Sequence, residues 1–142
     1  MFSYQSVQDA VSLISPGCWM YKADLARAYR SVKLHPHEHT ISGLEWTFKG
    51  DLSPTWMYDS RLMFWARLSP SIFNELSQAV RRIMAIKGFS KCIAYLDDFL
   101  LIADTKEECS RQALELIKLL RYLGFSINYN KVVGPAQRIP FL

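Results

Sequence analysis

Cysteine is scarce in this sequence: Cys18, Cys92 and Cys109 form an odd, widely scattered set with no paired spacing. That pattern argues against a disulfide framework and a cysteine zinc site, and reads as reduced thiols of an intracellular protein, cytoplasmic or nuclear. Long apolar runs are also missing, so no segment approaches the ~20 residues needed to span a bilayer. The first residues, Met1 to Asp9, have neither the basic start nor the apolar stretch of a signal peptide. No repeat, low-complexity tract or linker divides the chain, which reads as one unit over residues 1–142. Half of the residues are apolar and 21% are charged, a composition that supports a packed core rather than disorder. The formal charge of +4 is a mild basic bias, compatible with a nucleic-acid partner.

The local pattern alternates short strands with amphipathic helices. Val7, Val11 and Ile14 are at helical spacing before the breaker Pro16-Gly17. Cys18 to Leu25 predicts a strand that delivers Asp24 near its end, followed by a turn of helix over Ala26 to Arg30. Ile41 to Lys49 and Thr55 to Met63 predict a hairpin. Ser69-Pro70 predicts a capped helix start, with Ile72, Phe73, Leu76, Val80 and Ile83 buried and a stop at Gly88. Cys92 to Leu96 and Phe99 to Ala103 predict a second hairpin with Asp97 and Asp98 at its tip. Thr105 and Glu108 form a capping-box pattern ahead of a helix carrying Ala113, Leu116, Ile117, Leu120 and Leu123. Phe125 to Val133 reads as extended. The fold class predicted is α+β, with helices packed on an antiparallel sheet.

Two adjacent aspartates inside an apolar run, Ile93 to Ile102, call for a counter-charge, because buried ionised carboxylates are costly. Mg²⁺ suits such a site: it takes hard oxygen ligands and keeps waters that substrate phosphates replace. A third acid on a neighbouring strand end would complete a site for two metals serving nucleotidyl transfer. The competing reading is a solvated turn, where aspartate is common.

The residues around the acids carry a family resemblance. Tyr95-Leu96-Asp97-Asp98 resembles the tyrosine–any–Asp–Asp box of reverse transcriptases, and Lys22-Ala23-Asp24-Leu25-Ala26-Arg27-Ala28-Tyr29 resembles the family's earlier aspartate motif. Ser69-Pro70-Ser71-Ile72-Phe73 is similar to the start of the palm helix. The stretch from Leu119 to Phe125, with Asn128 and Lys131, is similar to the segment after the aspartate box. These motifs stand in family order across nearly the whole chain, in a style similar to retrotransposon polymerases.

The resemblance implies a polymerase palm, a ferredoxin- or RRM-like antiparallel sheet backed by helices, here a partial domain without most of the fingers and thumb. It implies RNA-directed DNA synthesis with two Mg²⁺ ions, Mn²⁺ being the alternative. The partners it implies are an RNA/DNA template-primer and dNTP; fingers, thumb and RNase H segments would come from the parent polyprotein. By the same resemblance Asp24, Asp97 and Asp98 are the metal-binding catalytic acids and the Leu25 backbone carbonyl is a further ligand. Lys131 is the general acid toward pyrophosphate, and Tyr29, Phe64 and Trp65 line the nucleotide pocket, with Tyr29 as the steric gate. Trp65 departs from the family pattern, which has glycine there; a ring at that place would obstruct the pocket. The expectation is therefore a palm with little activity by itself, and the rival reading is a non-catalytic remnant that binds nucleic acid or protein.

Three further groups invite functional readings. His35, His37 and His39 suggest zinc, but Pro36 and the lack of a nearby cysteine favour a polar loop. Trp46, Trp56, Trp65 and Tyr58 suit either base stacking or sheet packing. Arg81, Arg82, Arg111 and Arg121 read as solvated helix faces, with template phosphate contact the alternative.

Overall fold

The computed structural model of the chain describes residues 4–37, 43–62 and 69–140. In chain order the elements are α1 (Val7–Leu13), β1 (Trp19–Ala26), β2 (Gly43–Trp46), β3 (Thr55–Tyr58), α2 (Ser69–Ile86), β4 (Cys92–Tyr95) and β5 (Asp98–Ala103). They continue with α3 (Lys106–Tyr122), β6 (Ser126–Ile127) and β7 (Val133–Ala136). The α+β expectation holds. The main sheet is antiparallel, in the order β4-β5-β1-β6, with β7 also pairing with β1.

Strand side chains alternate between faces, and the two faces here have different uses. Tyr21, Ala23 and Leu25 of β1 join Phe99 and Leu101 of β5 beneath the helices, where Phe73, Met84, Leu116 and Leu120 complete the core. The opposite face buries a smaller cluster of Met20, Ile93, Leu100 and Ile102 under Ala10 of α1. By the same alternation, Lys22, Asp24 and Asp98 stand on this second face, beyond the apolar cluster.

The helices differ from the sequence pattern in instructive ways. Helix α1 has a full capping box, Ser6 with Asp9, yet its apolar stripe of Val7, Val11 and Ile14 stays exposed and Ala10 meets the sheet. Ser69, the first described residue of helix α2, has a buried hydroxyl with no hydrogen-bond partner among the described residues, so the expected capping bond is not made. Its buried face is also rotated: Phe73 and Val80 are inside as expected, with Asn74, Ser77 and Met84, while Ile72 is 42% exposed. Leu76 and Ile83 are only half-buried. At α3 the Thr105 hydroxyl accepts from the Glu108 N–H at 3.1 Å, but the Thr105 N–H makes no return bond to the Glu108 carboxylate. The stretch after α3 is not continuously extended, because a 3-10 turn at Tyr129–Lys131 separates β6 from β7.

Strands β2 and β3 form their own two-stranded sheet, with Gly43 opposite Tyr58 and Trp46 opposite Thr55. The Arg30 guanidinium ties this hairpin to the end of β1 through two bonds to the Asp59 carboxylate, at 2.5 and 2.8 Å. Backbone bonds from Leu34 N–H to Ser60 O and from Leu62 N–H to Val32 O, 2.8 and 2.9 Å, complete the attachment. Among the described residues, no helix is long and apolar enough to cross a membrane.

Gly134 sits where β7 crosses β1. Its φ is +117°, and a Cβ there would lie 2.5 Å from the Met20 carbonyl oxygen. Gly134→Ala combines a forbidden backbone conformation with a backbone clash, and is expected to destabilise the chain by about 2–4 kcal/mol. Urea denaturation of the two proteins checks this; a loss below about 0.5 kcal/mol would mean that β7 is free to move off β1.

Candidate metal centre

The sheet register brings the acids together. Asp24, near the end of β1, lies directly across from Asp98, the first residue of β5, while Asp98 also pairs with Tyr95 of β4. Asp97 occupies the turn between β4 and β5, and its carbonyl accepts from the Leu25 N–H at 2.9 Å, which joins the turn to β1. On the other side of β1, the Asp24 carbonyl accepts from the Asn128 N–H at 2.8 Å. The backbone of β1 is thus held from both sides at the acid. Asp24 is only 6% exposed. Carboxylate oxygens of Asp24, Asp97 and Asp98 all lie within 4.8 Å of one another.

The turn itself is strained. Leu96 has φ +51°, a left-handed conformation that costs a side-chain-bearing residue about 1–2 kcal/mol. The Leu96 carbonyl is met from α2 by the buried Ser77 hydroxyl, at 2.5 Å, which also lies 3.1 Å from the Phe73 carbonyl. One hydroxyl proton serves both, and the short contact is to the strained turn.

Charge at the cluster is unbalanced. Burial, then the neighbouring Asp24 and Asp97 carboxylates, push Asp98 up to about 6. Burial and Asp24 likewise raise Asp97 above the usual carboxylate range. Among the described residues, Lys131 Nζ stands 3.6 Å from Asp24 Oδ2, and Lys22 opposes the charge of Asp98. The 3-10 turn that interrupts the expected strand brings Lys131 back over β1. Because the lysine is mostly exposed, this ion pair is weak compensation for three clustered carboxylates.

Tyr29 follows β1 in a 3-10 turn, its ring edge-on to Phe73 with centroids 5.3 Å apart. With Arg27, Ala28, Arg30, Leu96 and Asp97 it lines a cleft of about 330 Å³ beside the acids. Phe64 and Trp65, the other pocket residues expected from the sequence, lie outside the described residues, as does His39. His35 and His37 stack edge to face at 4.7 Å, and the His37 N–H donates to His35 Nδ1. Sequence reading did not single out Ser77. Its signal was there, a polar residue at the helical spacing of Phe73 and Val80, inside an otherwise apolar face. Arg27, with φ +52° at the mouth of the cleft, had no comparable signal.

Residues 2–142 match the family described as reverse transcriptase (RNA-dependent DNA polymerase). The chain belongs to this family. It is 29% identical over 128 residues to the Gag-Pol polyprotein of gibbon ape leukemia virus, covering 87% of this chain and 7% of that polyprotein. Against the Gag-Pol polyprotein of avian reticuloendotheliosis virus the identity is 25% over 134 residues, 93% of this chain and 12% of the relative. Among solved structures, a foamy viral protease-reverse transcriptase in complex with RNA/DNA hybrid superposes with a TM-score of 0.77 at 16% identity, over 99% of this chain and 18% of the other. The native prototype foamy virus protease-reverse transcriptase gives 0.75 at 18% identity, over 99% of this chain and 18% of the other. The shared fold is the palm-like sheet with its helices.

The crowding of like charges has a measurable consequence without any ligand. A carboxyl whose pKa is raised in the folded state holds its proton there more tightly than in the unfolded chain, so its contribution to stability is lost as pH rises through the folded value. For Asp98 the window runs from about 4 to about 6. Asp98→Asn removes the repelling charge and is expected to stabilise the metal-free chain at pH 7 by about 1 kcal/mol, after discounting for the half-exposed position. The difference should vanish near pH 4. Thermal melts of both proteins across that range in EDTA test it; equal stability at pH 7 would show that the carboxylates do not repel one another.

Proposed function

We propose that this chain is the metal-binding palm of an RNA-directed DNA polymerase, transferring a deoxynucleotidyl group from dNTP to a primer 3′ hydroxyl along an RNA or DNA template. The observation that carries the reading is the convergence of Asp24, Asp97 and Asp98 from β1 and the β4–β5 turn. The donor set fits Mg²⁺, or Mn²⁺ in its place: three hard oxygens, raised carboxyl pKa values at Asp97 and Asp98, and too little positive charge nearby. Oxygens sharing one ion at about 2.1 Å stand at most about 4.2 Å apart, so the observed spacing needs only small side-chain rotations. Bound there, two divalent cations would supply Lewis acidity and counter-charge for phosphoryl transfer.

The remaining roles are those that the family resemblance implies, and the positions of Asp24, Asp97, Asp98, Lys131 and Tyr29 support them. Asp24, Asp97 and Asp98 would hold the metal, with the Leu25 carbonyl as a further ligand. Lys131, poised at Asp24, is suited to give a proton to the departing pyrophosphate. The Tyr29 ring, fixed against Phe73 at the wall of the cleft, suits a gate that rejects a ribose 2′ hydroxyl. Phe64 and Trp65 belong to the same pocket in this reading. The exposed rings of Trp46, Trp56 and Tyr58 on the β2–β3 hairpin favour a second reading, a non-catalytic module that binds nucleic acid or protein through aromatic contacts.

Calorimetric titration with Mn²⁺ and Mg²⁺ separates the two. Asp97→Asn is expected to weaken metal binding at least about 100-fold, and metal-dependent binding of a primer-template should fall with it. Oligonucleotide binding that ignores metal and survives Asp97→Asn would support the second reading and remove the first. In the chain joined to viral fingers and thumb, Tyr29→Ala is expected to raise ribonucleotide incorporation relative to dNTP by about tenfold or more. An unchanged ratio in primer extension would take the gate role away from Tyr29.

A further inference from the structure

Strand β4 is the outer strand of the sheet, and an outer strand leaves every second residue with an N–H and a C=O facing away from its partner. At Ala94, three residues before Asp97, both groups are taken by glutamine side chains. Gln5 Oε1 accepts from the Ala94 N–H at 2.8 Å, and Gln78 Nε2 donates to the Ala94 carbonyl at 3.2 Å. The orientation of the second amide is fixed, because Arg81 Nε donates to Gln78 Oε1 at 2.7 Å and so turns the Gln78 NH₂ toward the strand. One residue along, the Tyr95 ring meets the Tyr4 ring at 5.3 Å. Next, the carbonyl of the strained Leu96 meets the hydroxyl of Ser77, the neighbour of Gln78 on α2. Residues 94, 95 and 96 are therefore each held from outside the sheet, immediately before the acid that closes the cluster.

We infer that Gln5, Ser77 and Gln78 are positioning residues: together they fix β4 and its left-handed turn against α2 so that the Asp97 carboxylate faces Asp24. The consequence for metal rests on the function proposed above, whereas the contacts do not. The three side chains act through the backbone and touch neither metal nor substrate. Each has a defined hydrogen-bond polarity at β4. Gln5 must accept, so glutamate can replace it. Gln78 must donate, so glutamate, though equal in size and still attractive to Arg81, cannot.

The test uses the full chain with Gln5→Ala, Gln5→Glu, Gln78→Glu and Ser77→Ala. Amide hydrogen exchange over residues 94–98 is measured without metal, beside Mn²⁺ affinity and the melting temperature. Gln5→Ala, Gln78→Glu and Ser77→Ala are expected to exchange about fivefold to tenfold faster in this segment, as loss of one hydrogen bond implies. The same three should bind Mn²⁺ about tenfold more weakly, while Gln5→Glu matches the parent in both readouts. A purely structural role would instead lower Mn²⁺ affinity in step with melting temperature and without regard to hydrogen-bond polarity. Unchanged exchange in all variants, or faster exchange with unchanged Mn²⁺ affinity, overturns the inference. A parent chain that binds no Mn²⁺ overturns the metal reading and the consequence drawn from it, while the exchange pattern still decides whether the glutamines hold the strand.

Discussion

The structure turns on an electrostatic liability fixed in place by strand register. Asp24 opposite Asp98 is a like-charged cross-strand pair, an arrangement that destabilises an antiparallel sheet, and Asp97 adds a third carboxylate at the turn. Neither acid can retreat by sliding its strand. A slip of one residue would turn Tyr21, Ala23, Phe99 and Leu101 out of the core under α2 and α3. The burial of those side chains is what holds the carboxylates together, so the large apolar face of the sheet sets the geometry of the small polar end of the other face.

Around that constraint the neighbouring elements supply local restraint rather than full neutralisation. Backbone bonds from Leu25 and Asn128 fix the carbonyls of Asp97 and Asp24, Ser77 meets the left-handed turn, and Lys131, paired with Asp24, is mostly exposed. This combination of rigid backbone and deficient positive charge is suited to a centre whose missing charge arrives from solution. Family membership and the palm-like fold agree with that chemistry, and neither was needed to see the charge deficit.

Much of this was legible in the sequence, and the misses share a cause. The β4–β5 hairpin, β1 with Asp24, and both long helices followed from apolar runs, turn residues and caps, which act locally. Asp97 and Asp98 drew notice because aspartates inside an apolar run conflict with their surroundings, while the family motifs were what joined Asp24 to them. Periodicity failed at α2, where an apolar count favoured Ile72 while the packed helix turns Asn74 and Ser77 inward, the latter against the Leu96 carbonyl, a tertiary contact that spacing does not report. The extended reading of Phe125 to Val133 failed at Tyr129–Lys131, where the chain takes a 3-10 turn. The exposed stripe of α1 shows the converse: correct helical spacing says that a helix forms, not which face meets the sheet.

The Lys131–Asp24 contact has a consequence for how such a centre is filled. In the centre proposed above, the ammonium group would stand as a resident monovalent placeholder on a flexible stem, so an incoming divalent ion would enter by exchange and not by occupying bare carboxylates. Exchange would lower the net gain on loading. It would also free a proton-bearing amine beside the site. Loading of the centre and arming of its acid would then be one event.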